Sequence, residues 1–388
     1  MIRPFRNREE FQRAVQYVRV YGLKGLVRYV RVYGLKQTRP VRLDVSFVFA
    51  GADPNPHLVS LQLVNARSTD STMLSAVIDI GEAGRILKDS EHCHAEFGVW
   101  PISFSYPKAS LASSSESRSR LVAQIVPGTS YSYTNEETYL GEYGSSYFGL
   151  THKKGGWDCF RHLEILYSGA IPLMHDSIKI PKFSMIHYPK NAMAQTFVNF
   201  KKNPREPDQA TRLSFKDHFN RHLTSEAMAR YVLATSRIKR GSRVLFVDEN
   251  LERSVDYLSL FTLIGLYQLS DVSVTSMFPT PYLWTDWRGD NANLYGRGFG
   301  YSRLLSPNLR QNHFPLSVRK IRQALQSDQY DAVVFGSIMR NLGVHAHLRP
   351  YLDPSRTIFI NGEDLPVGPE TLKGLTSTGS HVFVRSIG

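Results

Sequence analysis

The sequence predicts an α/β protein built as two doubly wound blocks with mostly parallel sheets, preceded by a basic helical segment. Three observations predict it. In the second half of the chain, runs of Val, Ile and Phe alternate with helical stretches, the pattern of strands covered by helices on both faces. A strand, loop, helix and strand follow one another between residues 146 and 174. A stretch rich in proline and charge at residues 201–208 lies between these regions, dividing the 388 residues into pieces of ordinary domain size.

Residues 1–40 are basic and contain an echo: the eight residues from Tyr17 to Lys24 return letter for letter from Tyr29 to Lys36. Phe11, Val15, Val18, Leu26, Tyr29 and Tyr33 fall near one helical face, with Arg13, Arg19, Arg28 and Arg31 largely elsewhere. Such a basic amphipathic helix can lie on an anionic membrane surface, so peripheral membrane contact through residues 1–36 is one expectation. Gly22, Gly25 and Gly34 weaken the helix by about 1 kcal/mol each. The alternatives are a helix packed on the protein's own body, or a frayed tail.

Residues 41–200 form the first α/β block. Within it, residues 43–50, 58–64 and 75–80 read as strands, and 101–107 as a short extended element. The serine-rich residues 110–119 read as an exposed loop, and 121–126 as a strand stopped by Pro127-Gly128. Residues 136–143 look helical, and 146–151 and 170–174 are strand-like. Residues 201–240 form a helical linker, with Phe215, Phe219, Leu223, Met228, Tyr231 and Val232 at helical spacings from 215 to 238. Residues 241–388 form the second block. Its expected strands are 243–248, 272–274, 332–335, 357–361 and 381–385, and its helices 255–269 and 316–325.

The 47 Lys and Arg against 34 Asp and Glu give a net charge of +13, which favours anionic partners. Nucleic acid is not expected, because the basic residues concentrate at the amino terminus without a helix-turn-helix, zinc-finger or RNA-recognition signature. Two cysteines, Cys93 and Cys159, do not make a disulfide scaffold and fit a reducing compartment. No apolar run reaches the roughly 18 residues of a membrane span, and no signal-peptide pattern opens the chain. The expected location is cytoplasmic, with or without peripheral membrane contact.

The most informative stretch runs from Lys153 to Pro172. A strand feeds the loop Lys153-Lys154-Gly155-Gly156-Trp157-Asp158, and Asp158 or Cys159 begins a helix. Cations, free backbone N–H groups and a helix N-terminus then meet in one place, which suits a diphosphate. Gly155 and Gly156 admit a close backbone approach. Lys153 and Lys154 supply point charges, and Arg161 can fork onto phosphate oxygens. Glu164 lies three residues beyond Arg161 on the same helical face and could accept hydrogen bonds from ribose hydroxyls. A purely structural reading is also coherent: a Gly-Gly turn, Asp158 as N-cap, and Arg161 with Glu164 as a surface ion pair.

The run Arg161-His162-Leu163-Glu164-Ile165-Leu166, followed by Gly169-Ala170-Ile171-Pro172, resembles the nucleotide-sugar signature of the exostosin-like glycosyltransferases. The similarity covers about 45 residues, Ser145 to Pro189. It implies a GT-B-like architecture of two Rossmann-like blocks and a nucleotide-diphosphate sugar as donor. It places Arg161 on the diphosphate with Lys153 or Lys154 assisting, and Glu164 on the ribose. The block resembling the donor-binding half comes first here. That order implies either a permuted arrangement or a piece of a longer tandem protein.

Three carboxylates lie at the carboxyl ends of strands of the second block: Asp248 directly after 244–247, and Glu363 and Asp364 after 357–361. Carboxyl ends of parallel strands are where open α/β sheets bind ligands, so each is a candidate base for an acceptor hydroxyl; an ordinary loop carboxylate or helix cap is the alternative. Arg297 and Arg303 lie in the long irregular stretch 279–315 and are candidates for acceptor binding. No dinucleotide fingerprint follows the first strand of this block, the glycines near Arg297 fit no P-loop, and no Gly-x-Ser-x-Gly elbow occurs. His92-Cys93-His94 and His345-Ala346-His347 lack partners at zinc-site spacing, and no Asp-x-Asp triplet is present. No metal or cofactor is therefore expected.

The expected function is transfer of a sugar from a nucleotide-diphosphate donor to a glycan or glycolipid acceptor, without a metal. The alternative is a non-catalytic glycan- or nucleotide-binding module derived from a glycosyltransferase.

Overall fold

The computed structural model describes residues 45–46, 62–63, 71–108, 118–128, 133–310 and 317–387. The amphipathic segment 1–40 and most of the serine-rich loop lie outside them. The chain divides into two compact units, Met1–Val77 and Ile78–Gly388. In the first, β1 (Val45–Ser46) pairs antiparallel with β2 (Gln62–Leu63), inside two of the expected strands.

The expected strand at 75–80 is corrected: those residues belong to the 27-residue helix α1 (Ser71–Phe97). The β-branched Val77, Ile78 and Ile80 imitate a strand locally. Beyond them, however, the buried positions Glu82, Ile86, Ser90 and Cys93 recur at helical intervals.

In the second unit the chain enters through β3 (Trp100–Pro101) and an extended segment. There follow β4 (Arg120–Val122), α2 (Glu136–Gly144), β5 (Ser146–Thr151), α3 (Phe160–Tyr167), β6 (Ile171–Met174) and α4 (Lys190–Lys202). The strands β4, β5 and β6 form a three-stranded parallel sheet. Asn135 caps α2 by accepting from the Thr138 N–H, and Glu136 and Glu137 complement its dipole.

Within residues 201–240, α4 runs on to Lys202 and α5 (Gln209–His222) begins soon after. The single helix expected over 215–238 is two, α5 and α6 (Ser225–Thr235). The backbone of Tyr106 wedges between them, its N–H donating to Leu223 O at 2.8 Å and its carbonyl accepting from Ser225 N at 2.8 Å. Thr224 then caps α6.

The rest of the unit alternates strand and helix: β7 (Arg243–Val247), α7 (Tyr257–Gln268), β8 (Ser273–Ser276), α8 (Val318–Gln326), β9 (Ala332–Phe335), α9 (Leu342–Leu348), β10 (Thr357–Asn361), α10 (Pro369–Thr376) and β11 (His381–Val384). These strands and β3 make a six-stranded sheet, parallel throughout, in the order β3–β11–β10–β9–β7–β8. Strands such as Ala-Val-Val-Phe and Thr-Ile-Phe-Ile-Asn are buried at every position, as a sheet covered on both faces requires. The winding reverses between β7 and β9, the kind of point where such sheets take ligands.

Helix α7 is apolar all round and buried from Leu258 to Tyr267, which suits the centre of a molecule rather than its surface. It lies so close to α6 that any side chain at Gly265 would overlap the Ser225 carbonyl. One apolar core joins the two sheets. Phe160 of α3 stacks on Tyr106, and on Tyr257 and Phe261 of α7, at centroid distances of 5.4, 4.5 and 4.9 Å. Among the described residues no helix is long and apolar enough to cross a membrane.

Candidate functional site

The loop 152–159 leaves the carboxyl end of β5 and delivers the chain into α3. The helix starts at Cys159 in extended conformation, with no side-chain hydrogen bond to its first amides. An uncapped helix start leaves N–H groups and a partial positive charge for an external acceptor. The ring of His162 fixes the helix against the loop: its Nε2 lies 3.1 Å from Trp157 O and its Nδ1 2.8 Å from Thr151 Oγ1. Burial lowers its pKa to about 4, so it stays neutral and structural.

Arg161 and Glu164 are both buried, each 7% exposed, so the alternative of a surface ion pair is corrected. They make no salt bridge with each other. Glu164 Oε2 accepts from the Tyr139 hydroxyl at 2.6 Å, and burial raises its carboxyl to about 7 against the pull of that bond, Arg161 and Lys154. Arg161 is in a harsher position. Its Nε and Nη1 are buried with no hydrogen-bond partner, among Tyr139, Tyr143, Cys159 and Glu164. Burial disfavours its charge, but Tyr143, Tyr139, Cys159 and Glu164 outweigh that and raise its pKa, so what the guanidinium lacks is hydrogen-bond acceptors at Nε and Nη1. Native proteins rarely keep such a group without a use for it. Lys154, exposed on the loop, lies within electrostatic range of both Cys159 and Glu164. The structure thus brings Lys154, Arg161, Glu164 and the start of α3 together.

Asp158 does not cap α3, as the structural reading had it. Its Oδ2 accepts from Phe104 N at 2.6 Å and its Oδ1 from the Tyr188 hydroxyl at 2.8 Å. Burial raises its pKa, with Arg385 and those two donors pulling the other way. Its carbonyl accepts from Arg385 Nη1 at 2.7 Å. Arg385, immediately after β11, was missed in the sequence. It is 2% exposed, lies over the Phe104 ring at 4.2 Å, donates from Nε to Gly362 O at 3.0 Å and pairs through Nη2 with Asp364. The signal for it was available: like Glu363, it is a charged residue at the carboxyl end of a buried parallel strand.

Asp364 approaches both glycines closely, with its side chain at Gly155 and its backbone at Gly156, and the backbone contact is the one that requires a glycine. A Cβ built on Gly155 would lie 2.6 Å from Asp364 Oδ2, and one on Gly156 2.8 Å from Asp364 O. The loop at the carboxyl edge of the three-stranded sheet therefore meets the loops at the carboxyl edge of the six-stranded sheet. The contacts are Gly155, Gly156 and Asp158 on one side, Asp364 and Arg385 on the other.

The remaining candidates make none of these contacts. Asp248 is buried and accepts from Asn250 N at 3.0 Å, Asn341 Nδ2 at 3.0 Å and Ser259 Oγ at 2.6 Å; burial raises its pKa. Glu363 is exposed, its backbone N–H donating to Asn361 Oδ1 at 3.0 Å. Lys153 lies over the Trp157 ring at 4.7 Å. Arg297, with a left-handed φ of 56°, lines a cavity of about 630 Å³ with Lys108, Glu136, Glu137, Asp290 and Phe299. Arg303 instead braces its own loop, donating to Trp287 O, Gly289 O and Asn291 Oδ1 at 3.1, 2.7 and 3.1 Å. His94 stacks on Trp100, and His345 packs edgewise on Phe335 and Phe359. Among the described residues no group of three or more His, Cys, Asp and Glu side chains is placed to hold a metal ion. In comparisons with known proteins, the chain matches no family model, no curated protein and no solved structure.

Proposed function

We propose that the chain binds a nucleotide-diphosphate sugar at the start of α3 and transfers its sugar to a glycan or glycolipid acceptor, as a GT-B-type enzyme. The observation that carries this reading is the buried, unpartnered guanidinium of Arg161, beside Lys154 and an uncapped helix start. A diphosphate supplies the acceptor oxygens that this place lacks. Glu164 offers a carboxylate to the ribose hydroxyls. The meeting of two parallel sheets at their carboxyl edges supports the GT-B assignment, because ligands of open α/β sheets lie at those edges.

In the transfer, the bond from the anomeric carbon to the diphosphate breaks and the diphosphate leaves with the electron pair. The acceptor oxygen forms the new bond to that carbon and gives up its proton. Arg161, Lys154 or Lys153, and the helix dipole stabilise the charge that develops on the leaving group. No cofactor is needed for this chemistry. Of the three candidate bases, Asp248 already accepts from three donors and Asp364 is paired with Arg385. Glu363 is left to take the proton, and Arg297 to contact the acceptor from its cavity.

Calorimetric titration of a panel of nucleoside diphosphates and nucleotide sugars into wild type and Arg161→Ala tests the assignment. Charge-assisted bonds worth about 1.5–3 kcal/mol predict a loss of roughly 10- to 150-fold in affinity. Unchanged affinity for every ligand that binds wild type refutes it.

One observation favours a second reading, a binding module without turnover: two of the three candidate bases are engaged in contacts within the fold. Transfer or donor hydrolysis by the purified chain, abolished by Glu363→Gln, would exclude that reading.

A further inference from the structure

We propose that Arg385 and the Gly155–Gly156 backbone form a second phosphate-oxygen site, which Asp364 occupies in the free protein and a diphosphate takes over. The inference rests on the diphosphate reading above and adds a site on the opposite sheet edge.

The cation of this site is fixed in place. Arg385 is held over the Phe104 ring and by two backbone carbonyls, Gly362 O and Asp158 O. These leave Nη2 to the Asp364 carboxylate. The anion, by contrast, is loosely placed: the Asp364 side chain is 62% exposed while that of Arg385 is 2% exposed. A preorganised buried cation whose carboxylate partner faces solvent is a site where one oxyanion can replace another. The glycines complete it. Any side chain at Gly155 would invade the space of the Asp364 carboxylate, since its Cβ would lie 2.6 Å from Oδ2 and 3.1 Å from Cγ. The missing side chains keep room for an oxyanion against the backbone.

The site adjoins the start of α3. Arg385 binds the carbonyl of Asp158, the residue before the Cys159 that starts the helix. A ligand spanning from Arg161 would replace Asp364 Oδ1 at Nη2 with a phosphate oxygen, and the freed carboxylate would swing into solvent. No covalent step is involved. Asp364 is then an internal competitor, and it sets how strongly an anion must bind to open the site.

The test is calorimetric titration of inorganic pyrophosphate into the full chain as wild type, Asp364→Asn, Asp364→Ala and Glu370→Gln. Glu370→Gln removes an equal, exposed charge six residues along the chain and reports the simple electrostatic effect, expected to be about twofold or less at physiological salt. Removing the competitor restores the fraction of protein able to bind, so both Asp364 variants are expected to tighten pyrophosphate about three- to tenfold. Thermal midpoints within a few degrees of wild type confirm that the variants are folded. If the Asp364 variants bind no more tightly than Glu370→Gln, the competitor site is wrong. Loss of binding in Arg161→Met would in that case still leave the donor reading standing. If no variant binds pyrophosphate, this inference falls, and the nucleotide panel alone then decides the donor reading.

Discussion

Replacing Glu164 with Gln should remove a pH-dependent weakness of the fold. Glu164 is buried, and its carboxyl rises from 4.5 to about 7 because burial penalises the charged form. A raised folded-state pKa means that the group's contribution is fully present below the unfolded value near 4.5 and is lost as pH rises through about 7. Gln keeps the volume and still accepts from the Tyr139 hydroxyl, but it never ionises. At about 1.4 kcal/mol per pH unit, the gap between the two values gives about 3 kcal/mol once both are exceeded. Urea denaturation of wild type and Glu164→Gln at pH 4, 6, 7 and 8.5 measures it. The stability difference should be near zero at pH 4 and grow in favour of Gln to about 3 kcal/mol at pH 8.5. A difference that does not change with pH would refute the claim that Glu164 is buried and proton-linked.

Arg161→Met should abolish diphosphate binding and, because Arg161 helps hold down the buried Glu164 carboxyl, should lower the unfolding free energy more at pH 8.5 than at pH 4; an equal effect at both pH values would show that the two groups do not interact. Phe160→Ala removes a ring stacked against Tyr106, Tyr257 and Phe261 and should cost about 3–5 kcal/mol in chemical denaturation; a loss under about 1 kcal/mol would mean that the sheets do not share that core. Burial, then the neighbouring His222, lowers His218 to about 3. Its contribution is therefore present above the unfolded value of 6.5 and lost as pH falls towards 3. The stability of His218→Gln relative to wild type should therefore rise steadily from pH 6.5 to 4, and a difference that does not change with pH would contradict the buried neutral histidine.

The parts of the fold legible in the sequence are those specified locally. Strands β5, β9 and β10 are continuous runs suited to a sheet covered on both faces, and their bounds were readable from those runs alone. Helix α1 was not, because Val77, Ile78 and Ile80 favour a strand until the burial pattern beyond Glu82 overrides them. The break at Thr224 is set by Tyr106, which no local pattern near residue 224 announces.

The candidate site divides along the same line. The glycine loop and helix start belong to one short segment and could be recognised in it. What the glycines face is Asp364, more than 200 residues away, and Arg385 meets Asp158 across 227 residues. Asp248 could be placed at a strand end, but the Asn341 amide that helps saturate it lies 93 residues on. Arg303 likewise looked free until its loop closed around it. Spacing could place Arg161 and Glu164 on one helical face; only packing shows that the face is buried and that the guanidinium has no partner.

The most direct test of the central claim is an experimental structure of the chain with the nucleoside diphosphate that binds it best. The account predicts a phosphate oxygen within hydrogen-bond distance of Arg161 Nε or Nη1, at the start of α3. A diphosphate bound elsewhere, with Arg161 still unpartnered, would contradict it.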